Sequence, residues 1–210
     1  MAERENDQEP TPLTTTEGEA YAARLDRLEN VWWKKLLDVQ RPYRNNLRRM
    51  ELGRTLDVGC GNGRNLVNLP AGSVGVDHNP HLIASVRARG LVGYTVDEFF
   101  ADPELTRPGG FDSMLVAHVI EHLTRPQARE VIGMYLPFIK PGGRVVFITP
   151  QERGHASDPT HLEFTDQKAL AELVADLGLV PDKQYSFPLP RAFGKIFTYN
   201  EFNHLSRTPA

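Results

Sequence analysis

Between residues 56 and 66 the chain reads LDVGCGNGRNL, an apolar run that ends in an acid and enters three glycines at alternate positions. Gly59, Gly61 and Gly63 remove side chains where a backbone must turn sharply and let a ligand lie against it. A nucleotide-like ligand is implied. The spacing is GxGxG rather than the GxGxxG of dinucleotide enzymes, and Asp57 precedes it where a pyrophosphate would be repelled. A cofactor without phosphate and with a cationic centre fits better. A second apolar run, SVGVD, ends in Asp77, twenty positions after Asp57. A carboxylate at that strand end can accept both hydroxyls of a ribose, with a turn or cap role before His78, Asn79 and Pro80 as the competing use. Cys60 invites a nucleophile reading, but a small side chain in a tight loop is the plainer reason for it.

Two further groups carry chemistry. In AHVIEHL, residues 117–123, His118, Glu121 and His122 follow an apolar run at what should be the carboxyl edge of a sheet, where α/β ligands bind. His118 and His122 are four positions apart, which is metal-ligand spacing on a helical turn. His118 is the stronger active-site candidate. Further on, TPQERGHASDPTHLEFTD, residues 149–166, is polar and crowds His155, Asp158, His161 and Glu163 into nine positions. Such a segment should form a loop over the site. His161 can orient an acceptor or take its proton, with Asp158 as partner. A divalent cation that grips a vicinal diol is the competing use, disfavoured because neither HxxH nor HExxH spacing is present. Helix capping before Asp166 is the plain one.

Positioning these groups requires strands and helices in alternation. Strands are expected at 54–58, 73–77, 91–96, 111–117 and 144–149, and helices near 64–69, 80–89, 126–139 and 166–177. Extended segments at 184–187 and 195–203 would complete a seven-stranded, mostly parallel sheet with helices on both faces. Residues 1–18 are acidic, rich in Thr and Pro, and poor in large apolar side chains, so a disordered tail is expected. Residues 19–50 read as a helical extension, with Tyr21, Leu25, Leu28, Trp32 and Leu36 on one face and a cluster at Arg41, Arg44, Arg48 and Arg49. Residues 51–210 form the main domain. The chain of 210 residues, 40% of them apolar, suits one such domain. A net charge of -3 gathers no phosphate backbone, so nucleic acid is a disfavoured partner. One cysteine, no apolar leader and no span of membrane length point to a cytoplasmic protein.

The motifs LDVGCGNGRNL, GVDHNP at 75–80, FDSMLVAHVIEHL at 111–123 and LPFIKPGGRVVFITP at 136–150, in this order, resemble the class I S-adenosylmethionine-dependent methyltransferases, in the broad group that includes the ubiquinone-biosynthesis enzymes. The resemblance covers residues 54–149. It implies a Rossmann-like domain with S-adenosylmethionine as cofactor and S-adenosylhomocysteine as product. It implies that Asp57, Gly59, Cys60, Gly61, Asn62 and Gly63 hold the methionine part, and that Asp77, beside His78, binds the ribose. Val96, Asp97, Glu98 and Phe99 would flank adenine, with either acid on its amino group, and His118 would touch the cofactor. For Glu121 and His122 the resemblance implies a structural use. The acceptor implied is a small molecule bearing a hydroxyl more than an amine; the arginine cluster and the aromatic stretch 185–202 would suit an amphipathic or anionic one. His118, His161 and Asp158 are the catalytic candidates, no metal is expected, and the protein would be a monomer or homodimer. A non-catalytic binder of the same cofactor, or a nucleotide-dependent oxidoreductase, are the alternatives.

Overall fold

Seven strands hydrogen-bond into one sheet in the order β3-β2-β1-β4-β5-β7-β6. They are β1 (Thr55–Val58), β2 (Val74–Asp77), β3 (Gly93–Thr95), β4 (Phe111–Ala117), β5 (Ile139–Pro150), β6 (Val180–Phe187) and β7 (Glu201–Arg207). The helices are α1 (Arg41–Arg49), α2 (Pro80–Ala88), α3 (Val96–Ala101), α4 (Arg125–Tyr135), α5 (Glu152–His155) and α6 (Gln167–Asp176). This computed structural model describes residues 40–210. The tail expected over 1–18 and the helix expected over 19–40, with Trp32, lie outside the described residues save Gln40.

Strands β1 to β5 run parallel, and β7 enters antiparallel between β5 and β6. A parallel sheet is covered on both faces, and the side chains show it by alternating between two apolar clusters. Met114 and Val116 of β4 join Val145 and Phe147 of β5 beneath Ala128, Ile132, Leu170 and Leu173 of α4 and α6. Leu115 and Ala117 turn the other way, with Val146 and Ile148, toward Leu47 and Met50. The end of the expected N-terminal extension is thus packed on the sheet, with Pro42 in the first turn of α1.

The strand order reverses direction between β1 and β4, which opens a crevice at the carboxyl ends of these strands. Four sequence expectations need correction. The helix expected at 64–69 is a single 3-10 turn, Leu66–Asn68, because Pro70 and two asparagines leave too little helix-forming chain. The third strand ends at Thr95, and residues from Val96 on are helical. The fifth strand begins at Ile139, earlier than expected. The last strand is Glu201–Arg207 instead of 195–203, and residues Arg191–Lys195 form a 3-10 turn. In β7 the buried side chains of Asn203, His204 and Ser206 are polar, so apolar patterning does not mark it. Its place is set by pairing with β5 and β6, as when Ser206 Oγ donates to the Val145 carbonyl.

Helix α3 starts with a reciprocal cap. Thr95 Oγ1 accepts from the Glu98 backbone N–H (3.3 Å), and the Thr95 N–H donates to Glu98 Oε2 (2.8 Å). Thr95→Ala removes one half of this box, so the melting temperature is expected to fall by about 3 °C, equivalent to about 1 kcal/mol, in a calorimetric scan. No helix among the described residues is long and apolar enough to cross a membrane.

Candidate active site

The glycine turn leaves β1 at Val58. Gly59, Gly61 and Gly63 have φ of +71°, +57° and +84°, the left-handed region that favours glycine. A Cβ on Gly59 would also lie 2.3 Å from Val119 Cγ2, which shows how closely the segment after β4 abuts the turn. The N–H groups of Gly59 and Cys60 donate to the Val76 carbonyl at 2.8 and 3.1 Å, tying the turn to β2. Cys60 is buried against Gly75, and burial, followed by the charges of Asp57 and Asp77, pushes its thiol well up. It is packing material, inert as a nucleophile.

Asp77 fills the turn role weighed from the sequence. Its Oδ2 accepts from the Gly61 N–H and its Oδ1 from the Asn79 N–H, each at 2.9 Å, so the acid shapes the glycine turn and the start of α2 together. The His78 ring stands 3.4 Å from Oδ1. Asp57 lies at the same edge, 1% exposed, and its Oδ2 has no hydrogen-bond partner. Burial first, then the charge of Asp77, raise its pKa from 3.8 to about 8, with Arg64 opposing. An orphaned carboxyl oxygen in the interior fits a ligand that brings a cation or donor to it, as the α-ammonium of a methionine moiety does. Asn62 is buried in the turn, where its carbonyl accepts from Arg89. Of the two acids after β3, Glu98 is engaged by Thr95 and by Arg87 Nη2 at 2.6 Å, whereas Asp97 stands exposed. Val96 packs against the core.

His118 follows β4 with φ +60°, an unusual conformation for a residue with a side chain. Its Nδ1 lies 3.2 Å from Glu121 Oε1 and its Nε2 3.0 Å from Glu201 Oε1. Burial alone would lower its pKa, but the two carboxylates outweigh burial and raise it to about 9. Both ring nitrogens therefore donate, and His118 is an imidazolium at neutral pH, unsuited to serve as a base. Glu201 was absent from the sequence reading; it sits 83 residues away in an aromatic stretch, and no local pattern marks it.

The loop after β5 folds back onto this turn. Leu162 N–H donates to the Glu121 carbonyl at 2.7 Å, and His122 Nδ1 meets the Thr160 carbonyl at 3.1 Å. His161 Nδ1 meets the His155 carbonyl at 2.8 Å, and the His155 and His161 rings stack with centroids 5.1 Å apart. Asp158 accepts from the Thr160 backbone and hydroxyl, so it braces the loop, and the His161 ring takes its Nδ1 bond from the backbone instead. Burial holds His155 and His161 below the usual histidine range, leaving both rings neutral at neutral pH. Asp166 caps α6 through the N–H groups of Lys168 and Ala169, so the capping expected at this loop's end falls to it. Glu163 accepts from the Arg125 N–H, away from the histidines.

A mostly parallel seven-stranded sheet, a glycine turn after β1 and acids at the ends of β1 and β2 define the class I methyltransferase architecture. The model of the methyltransferase-domain family matches residues 33–184, and the chain belongs to that family as an S-adenosylmethionine-dependent methyltransferase. This sets aside the oxidoreductase alternative. Among solved structures, the fold is similar to a SAM-dependent methyltransferase from Archaeoglobus fulgidus (TM-score 0.63, 17% identity, covering 83% of this chain and 97% of that one). It is also similar to the complex of a methyltransferase with the Trm112 activator from Haloferax volcanii (0.67, 18%, 91% and 97%). A third likeness is to the N-methyltransferase NodS of Bradyrhizobium japonicum WM9 (0.61, 18%, 81% and 97%). No curated protein matches the sequence.

Proposed function

We propose that the chain methylates a hydroxyl oxygen of a small molecule. The observation that carries this reading is that the loop bearing the neutral rings of His155 and His161 is hydrogen-bonded to the turn after β4, which itself abuts the glycine turn beside Asp57 and Asp77. S-adenosylmethionine supplies a methyl on a sulfonium that departs as a neutral thioether, so the protein's work is to align the acceptor and exclude water. A hydroxyl, unlike a neutral amine, must also shed a proton to become a good nucleophile, and neutral imidazoles serve that need.

In this reading Asp57 takes the α-ammonium of the cofactor, Asp77 the ribose, and Asp97 the adenine amino group, since the Glu98 carboxylate is already engaged. His118 is a positioning residue that fixes Glu121 and Glu201. His161 addresses the acceptor oxygen, with Asp158 bracing its loop. The exposed side chains of Phe193, Ile196 and Tyr199 lie on the segment that α1 contacts through Tyr43 Oη and the Tyr199 carbonyl, which supports an amphipathic acceptor near the arginine-rich helix.

The test is a panel of phenols, catechols, polyols and amines, with S-adenosylhomocysteine release as the readout. Turnover with hydroxyl acceptors is expected; transfer to amines alone would overturn the choice of atom. His161→Ala should lower turnover at least about 100-fold while changing cofactor affinity less than about threefold. A loss of cofactor affinity would move His161 to the other side of the site.

A further inference from the structure

The turn after β4 and the loop after β5 bring three potential ligands together: one donor atom from each of Glu121, His122 and His161 lies within 4.8 Å of the other two. Two features make this more than a crowd of polar groups. First, Glu121 is fully buried, its Oε1 is fixed by His118, and its Oε2 has no hydrogen-bond partner. Second, each histidine has Nδ1 against a backbone carbonyl, His122 on Thr160 and His161 on His155. A carbonyl can only accept, and the Thr160 hydroxyl that also lies 3.2 Å from His122 Nδ1 gives its proton to Asp158, so Nδ1 carries the proton and Nε2 keeps its lone pair. Histidines that bind metals are oriented in this way by the partner of their other nitrogen.

We propose that Glu121, His122 and His161 bind a divalent transition-metal cation, with zinc as the probe. Two imidazoles and one carboxylate leave at least one position open, the ligand set of a catalytic rather than a structural centre. In a tetrahedral site the donor atoms would sit about 3.4 Å apart, within reach of modest side-chain rotations. The sequence argued against a metal because no close HxxH or HExxH spacing exists; here the third ligand arrives from 39 positions beyond His122. The use of the cation rests on the hydroxyl reading above. An acceptor oxygen in the open position would be acidified by the cation and release its proton to solvent, so that with the cation bound His161 serves as a ligand in place of the proton-accepting role given it above.

The experiment is calorimetric titration of zinc into untagged, chelator-stripped full-length protein. All seven histidines of the chain lie among the described residues, so none outside them competes. One equivalent per chain with micromolar or tighter affinity is expected, and cobalt in its place should give the visible absorption of a low-coordinate site. His122→Ala and His161→Ala should each weaken uptake at least about 100-fold, while His81→Ala, at the exposed start of α2, should bind as the parent does. Glu121 is buried, so Glu121→Gln is interpreted beside its melting temperature and the histidine variants carry the test. Absence of saturable uptake, or uptake that survives in both histidine variants, would overturn the site. S-adenosylmethionine is titrated separately: metal uptake without cofactor binding overturns the proposed function and leaves the site standing, and cofactor binding without metal uptake overturns the site alone.

Discussion

Asp77→Ala is expected to weaken S-adenosylmethionine binding by at least about 100-fold. The carboxylate holds two backbone N–H groups, of Gly61 and Asn79, each at 2.9 Å. A hydrogen bond to a charged group contributes about 1.5–3 kcal/mol, and each 1.4 kcal/mol is a factor of about ten in affinity. Losing both bonds loosens the glycine turn from β2 even before the ribose contact is counted. Asp77→Asn should be milder, because one acceptor oxygen remains, but its amide places a donor against one of the two N–H groups. Calorimetric affinity paired with a melting curve separates the causes. A variant that melts near the parent yet fails to bind places the loss at the site, and unchanged affinity would remove the ribose assignment.

Asp57→Asn is expected to trade binding for stability. In the folded chain the Asp57 carboxyl titrates at about 8 instead of 3.8, held up by burial and by Asp77. Between those values the unfolded chain gives up this proton while the folded chain keeps it. The group therefore lowers folding stability as pH rises, by up to tenfold in the folding equilibrium per pH unit, and the full penalty stands above pH 8. Asparagine has no such titration. The variant's cofactor-free melting temperature should exceed the parent's by at least about 5 °C at pH 8, with the gap closing toward pH 4.

Binding should show the reverse of that gain. If the ionised carboxylate meets the α-ammonium of the cofactor, parent affinity rises by up to about tenfold per unit from pH 6 to 7.5, above which the ligand's own amine begins to titrate. The variant should bind weakly and with little pH dependence. A flat profile in the parent would show that Asp57 is not the group that meets the cation.

The glycine turn and the acids beside it were legible because they are local. A turn that needs left-handed backbone must recruit glycine, and acids at consecutive strand ends must project from the same sheet edge, so Gly59, Gly61, Asp57 and Asp77 announce themselves by spacing. The acids after β3 were equally visible but had two meanings. TVDE at 95–98 is a capping-box pattern as much as an adenine pattern, and the structure gives Glu98 to the cap. The histidines after β4 and β5 were visible, but their partners were not. Glu201 faces His118 across 83 residues, and the Asp158 carboxylate is held by the Thr160 backbone and hydroxyl.

What the sequence determined by itself was the mostly parallel sheet and the glycine turn flanked by acids at the ends of β1 and β2, because short apolar runs and glycine spacing are short-range constraints that survive without neighbours. The tertiary structure decided which protons those groups hold and which side chains meet. His118 is a plausible base in one dimension and an imidazolium between two carboxylates in three. The polar strand β7 exists only because β5 and β6 supply its hydrogen bonds, and it is β7 that delivers Glu201. Charge state and pairing depend on burial and on residues far apart in the chain, and neither is written in spacing.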